Sequence, residues 1–164
     1  MKQILFFLVL IALASRAEAQ TMAIDSISGE RVLIGAVSRS AFSDSSWYTS
    51  NRALYHPTQE LIKQIDSSNA VDSVLVVFGS WCSDSHMWVP MFLSILDSTS
   101  LAGKEKYIAV PRSKGWRDQL TPGLDIEKVP TFIFYRDGKE LGRIVEEPEG
   151  DLGDNVLRIL KGTK

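Results

Sequence analysis

The sequence predicts an α/β fold in three layers: a mixed central sheet flanked by helices, with an N-terminal extension. Three observations predict it. The elements run strand–helix–strand, then a connecting segment, then strand–strand–helix, an order that yields a mixed sheet with helices on its faces. The run Val74-Leu75-Val76-Val77-Phe78-Gly79 is apolar on both faces, as a central parallel strand is. Asp137-Gly138 separates two strand-like runs and reads as a hairpin turn.

The elements follow in chain order. Arg31 to Val37 reads as a strand. Ser38 to Ser50 is Ser-rich and reads as loop, with Phe42, Trp47 and Tyr48 pinning it to the core. A helix is expected from Pro57 to Ile65, because Pro57 suits a first turn and Leu61, Ile62 and Ile65 share a face. After the 74–79 strand, Met87, Met91, Phe92, Ile95 and Leu96 recur at helical spacing from Ser83 to Leu96, with Pro90 as an expected kink. Lys106 to Val110 is the next strand, and Thr131 to Arg136 with Lys139 to Val145 form the hairpin. The final helix runs from Asp151, its expected cap, to Lys161.

Residues 1–19 read as a cleaved signal peptide. Lys2 is the basic start, Ile4 to Ala14 is an apolar core too short to span a bilayer, and Ala17-Glu18-Ala19 is a small-x-small cleavage site. An uncleaved anchor is the competing reading, but no stop-transfer pattern follows. No Cys follows the apolar core, so this is not a lipoprotein signal. The expected organisation is an N-terminal extension at 20–52 and one domain at 53–164, long enough to bury a core. The expected location is the periplasm or the medium. Removing Lys2, Arg16 and Glu18 takes the formal charge from −2 to −3. That mildly acidic, unpatterned surface argues against nucleic-acid binding and, after cleavage, against membrane binding.

Cys82 is the single cysteine. There is no disulfide framework, so packing alone must hold the domain. The thiol is buried and inert, paired with another molecule, or functional, and composition leaves all three open. Position says more. Trp81-Cys82-Ser83-Asp84-Ser85 follows a buried strand and opens a helix, where partial positive charge and unpaired N–H groups favour a thiolate. Ser85 offers a hydroxyl to the sulfur, whereas Asp84 opposes the anion by like charge. His86, four residues on, reads first as a helix-surface histidine and second as a partner that tunes Cys82. With only His56 besides, no metal site is expected, and no cofactor. Trp81 belongs to the rim of the thiol; Met87, Trp88 and Met91 are divided between core and rim. Lys114, Trp116 and Arg117 are solvated loop or the lining of a groove, and Glu146, Glu147 and Glu149 a solvated edge.

Strand–Trp81-Cys82-x-x-Ser85–helix with Pro90, then Val129-Pro130-Thr131, then a hairpin and a terminal helix resemble the thioredoxin superfamily over roughly Pro57 to Leu160. Within it the resemblance is closest to exported bacterial thioredoxin-like proteins carrying a single-cysteine WCxDS motif. The resemblance implies a cis Val129-Pro130 bond facing Cys82, a Val129 backbone that pairs with an extended substrate, and a Trp81 that shields the thiol. Three positions depart from it: Ser85 replaces the resolving cysteine, Asp84 adds a carboxylate, and Val76 stands where thioredoxins usually bury an aspartate.

Two functions follow from these residues. One is monothiol thiol–disulfide exchange through Cys82, with Ser85 in the site and resolution by an external protein thiol or low-molecular-weight thiol. The other is a non-catalytic binding module that holds extended partner segments beside Val129-Pro130. A one-cysteine peroxidase fits poorly, because residues 74–86 supply neither the Thr nor the Arg such a site uses. A monomer is expected.

Overall fold

The computed structural model describes residues 22–68 and 71–162; the expected leader at 1–19 lies outside them. The chain order is β1 (Met22–Ile24), β2 (Arg31–Leu33), β3 (Gly35–Val37), a 3₁₀ turn Arg39–Ala41, α1 (Ser46–Arg52), α2 (Gln59–Asp66), β4 (Ser73–Phe78), α3 (Ser83–Asp97), β5 (Glu105–Ala109), α4 (Lys114–Leu120), β6 (Thr131–Arg136), β7 (Lys139–Val145) and α5 (Leu152–Lys161). Strands β3-β5-β4-β6-β7 form the central sheet, and β1-β2 a separate two-stranded one. β4 and β5 are parallel, joined through α3, and the other pairs are antiparallel, so the sheet is mixed.

The pleat divides the core in two. Val74, Val76 and Phe78 of β4 share a face with Tyr107, Phe132 and Phe134, and α1, α2, α3 and α5 cover it. Val77 and Ile133 face the other way, into a smaller cluster with Cys82, Val110, Ile126 and Val129, beside Leu120 of α4. The candidate site therefore sits over the smaller cluster.

The N-terminal stretch is built into this domain. The 31–37 run is two strands in two sheets, divided at Ile34, and Gly35 opens the second with a φ of +84°, a conformation that side chains with a Cβ rarely adopt. β3 then becomes the edge strand of the central sheet. Phe42, 3% exposed, meets Trp47, Tyr48, Phe78 and Tyr107 with ring centroids 5.0–5.9 Å apart, which pins the segment as its aromatics suggest. The Ser-rich loop, however, contains a helix. α1 (SWYTSNR) has weak propensity and no side-chain cap, and its stability comes from packing on α3. Asn51 Nδ2 donates to the carbonyl of His86 at 3.0 Å. That carbonyl lacks its helical donor because Pro90 has no N–H.

The remaining ends are conventional. α2 starts at Gln59 rather than Pro57, because Thr58 caps it by accepting from Leu61 N at 3.1 Å. Asp151 caps α5, accepting from Gly153 N and Asp154 N. No helix among the described residues is long and apolar enough to cross a membrane.

Candidate functional site

β4 delivers the chain to a turn that several contacts hold. Leu33 N donates to Ser80 Oγ at 2.9 Å, which ties β2 to the turn. The Trp81 indole lies against Gly79 so closely that a Cβ there would fall 2.7 Å from the ring. Trp81 Nε1 donates to the Val110 carbonyl at 2.8 Å, and the Arg112 guanidinium sits 4.7 Å above the ring, within cation–π range.

Arg112 is held from the N-terminal hairpin. Its backbone N–H donates to Asp25 Oδ2 at 2.9 Å, and its Nη1 donates to Ser28 Oγ at 2.8 Å. Asp25 is 1% exposed. Burial alone would push its carboxyl up, but hydrogen bonds from the backbone of Arg112, Ser28 and Ile27, with the charge of Arg112, outweigh burial and hold it below the ordinary value. The hairpin, Arg112 and Trp81 thus form one connected unit.

Cys82 is the N-cap residue of α3, but its side chain makes no capping bond. The thiol points across to the loop before β6 and donates to the Val129 carbonyl at 3.3 Å. The Val129–Pro130 bond is cis. That loop is fixed by Thr131 Oγ1 donating to the Lys128 carbonyl and by Glu146 N donating to the Pro130 carbonyl, each at 2.7 Å. Cys82 is 9% exposed. It opens on a groove of about 480 Å³ that Trp81, Asp84, Arg112, Arg117, Lys128 and Val129 also line.

The other sequence candidates lie as follows. Ser85 is fully buried, and its Oγ accepts from Gly79 N at 3.2 Å, closing the turn from within. Asp84 is half-buried at the groove and acts electrostatically on Lys128, which is itself paired with Glu146; that pairing raises the Lys128 ammonium above its usual range. His86 Nε2 bonds the Ser80 carbonyl at 2.8 Å, and its ring stacks on Trp47 at 4.6 Å, so the imidazole belongs to the contact between α1 and the turn. Trp88 and Met91 pack on the main core and Met87 is exposed. Of the three groove candidates on α4, Arg117 lines the groove, whereas Lys114 and Trp116 are exposed outside it. Among the described residues no group of three or more His, Cys, Asp or Glu gathers to hold a metal.

Sequence reasoning missed Arg112, Lys128 and Asp25. Asp25 and Arg112 are 87 residues apart, and only the docked hairpin brings them together. Lys128 adjoins Val129, and that adjacency is its one signal in the sequence.

No family model matches the chain. It is 24% identical over 105 residues to the TPR repeat-containing thioredoxin TDX of Arabidopsis thaliana, a match covering 63% of this chain and 26% of that protein. The chain therefore spans 26% of that relative's length. Among solved structures it is similar to mitochondrial thioredoxin 3 of Saccharomyces cerevisiae in its oxidized form, with a TM-score of 0.35 and 20% identity, over 61% of this chain and 87% of that one. It is also similar to an HIV epitope-scaffold of the 4E10 series, with a TM-score of 0.45 and 18% identity, over 71% and 72% of the two chains. The sequence match is to a thioredoxin-containing protein, and it supports the thioredoxin likeness read from Trp81-Cys82, Val129-Pro130 and the closing hairpin.

Proposed function

We propose that the protein exchanges thiols and disulfides through Cys82 alone. The observation that carries this reading is the placement of Cys82 Sγ at the start of α3, on an open groove opposite Val129. Cys82–SH reacts with a partner disulfide R–S–S–R′ to give Cys82–S–S–R and R′–SH, the thiol proton leaving with the released sulfur. No second cysteine exists in the chain to complete the cycle. An external protein thiol or low-molecular-weight thiol R″–SH therefore attacks the R sulfur of the mixed disulfide, giving R–S–S–R″ and returning the proton to Cys82–SH. The partner lies extended along Val129, Trp81 bounds the approach, and no cofactor is needed. The protein works as a monomer outside the cytoplasm, in the periplasm or the medium, after loss of residues 1–19.

A second reading is favoured by the bond that the thiol makes to Val129. A sulfur that is 9% exposed and already hydrogen-bonded suits a non-catalytic module whose groove holds an extended partner segment. Trapping separates the two. Wild-type protein in an envelope extract should accumulate reductant-sensitive, higher-mass species on non-reducing gels, and Cys82→Ala should accumulate none. Partner binding that survives Cys82→Ala, with no such species in the wild type, overturns exchange in favour of the module.

A further inference from the structure

Resting on the exchange reading, we propose that Arg117 makes this groove a subsite for a carboxylate lying within a few bonds of the partner's reacting sulfur. Arg117 is 8% exposed and lines the same groove as Cys82 and Val129. Its Nη1 donates to the Glu127 carbonyl at 2.6 Å. Its Nε is buried and has no acceptor, and no carboxylate among the described residues comes within ion-pair distance of the guanidinium. A buried charge without a counter-charge is costly, and with Nη1 on the Glu127 carbonyl and Nε closed to solvent, Nη2 is the group left to donate to a carboxylate.

The other cations of the groove are matched. Lys128 pairs with Glu146, and Arg112 with Glu30 and Asp25. Among the described residues, neither of the two remaining groove carboxylates, Glu127 and Asp84, forms an ion pair with Arg117. Glu127 offers it a backbone carbonyl while the residue itself is exposed to water, and Asp84 acts on Lys128. Position sets the reach. Arg117 binds the carbonyl of Glu127 and Cys82 that of Val129, two residues later. Those carbonyls are at most about 7 Å apart along the chain. With the two hydrogen bonds of 2.6 and 3.3 Å added, the guanidinium and Cys82 Sγ are at most about 13 Å apart, a reach that an acidic residue next to a partner cysteine or a carboxylate on the chain of a thiol can cover.

The test compares three small disulfides by the rate of adduct formation on Cys82, followed by intact mass. The probes are 3,3′-dithiodipropionate (anionic), bis(2-hydroxyethyl) disulfide (neutral) and cystamine (cationic). The chain is net −2, so its overall field disfavours the anion and any preference for it is local. Wild type should react about tenfold faster with the anionic probe than with the neutral one, the size of one charge-assisted hydrogen bond. Arg117→Gln should bring the ratio of anionic to neutral rates to about one, each variant's own neutral rate serving as its reference. Arg117→Lys, which keeps the charge but not the Nη2 donor, should retain only part of the preference, and serves if the Gln variant does not fold. Lys128→Gln, which takes one cation from the same groove, should lower the ratio less than Arg117→Gln does. Equal rates for all three probes in the wild type, or a preference that follows Lys128 instead of Arg117, overturn the subsite and leave exchange standing. The absence of any adduct overturns the exchange reading itself.

Discussion

The Cys82 thiol donates its hydrogen bond to the carbonyl oxygen of Val129, 3.3 Å away and 47 residues along the chain. The bond joins the start of α3 to the loop that opens β6, and it exists only while the sulfur carries its proton. In the exchange reading the attacking species is the thiolate, so the proton, and with it the bond to Val129, is lost before the S–S bond forms. The freed carbonyl is then open to a backbone N–H of the arriving partner.

Gly79→Ala should displace Trp81. The added methyl would sit 2.7 Å from the indole, which is itself held by Val110 and Arg112. Overpacking of this kind costs about 1–3 kcal/mol. Urea denaturation should show the loss, and the fluorescence difference between each protein and its Trp81→Phe counterpart should show the moved ring. An unchanged Trp81 signal would contradict this packing.

Asp25→Asn should flatten part of the acid dependence of stability. The folded carboxyl lies below its ordinary value, so its contribution is complete above that ordinary value, about 3.9, and is lost as pH falls through the lower folded value. The urea midpoints of wild type and Asp25→Asn should differ most near pH 5 and converge toward pH 2. A gap that stays constant with pH would show that the Asp25 charge does not hold the hairpin.

Asn51→Ala leaves the His86 carbonyl without a donor and should cost about 1–3 kcal/mol. In a Pro90→Ala background residue 90 regains an N–H for that carbonyl, so the same substitution should cost less, with a coupling of about 0.5 kcal/mol or more. A double-mutant cycle by urea denaturation measures it. Strict additivity would mean that Asn51 does not compensate for Pro90.

Much of the frame was legible in the residues because its patterns are local. The 74–79 run is β4, the 83–96 periodicity is α3, the hairpin strands fall at 131–136 and 139–145, and Asp151 caps α5. Elements stabilised by distant contacts were not legible. α1 has poor helix formers and depends on α3, α4 is one short helix in a segment read as loop or groove, and the 31–37 strand divides beside a glycine that periodicity does not register. At the site, Cys82 was readable from its place between a strand and a helix, whereas Trp81, Val129 and Pro130 came from the thioredoxin resemblance. The partners of Ser85 and His86 were not readable, because Gly79 and Ser80 lie in a turn whose shape depends on β2 and Trp47.

The most direct test of Cys82 as a site that captures but does not release is intact mass of the wild-type protein. The protein is incubated with excess bis(2-hydroxyethyl) disulfide, freed of reagent, and followed before and after addition of a small thiol. A single adduct, absent in Cys82→Ala, should persist until the thiol is added and then disappear. Failure to form the adduct, or its decay without added thiol, would contradict monothiol exchange.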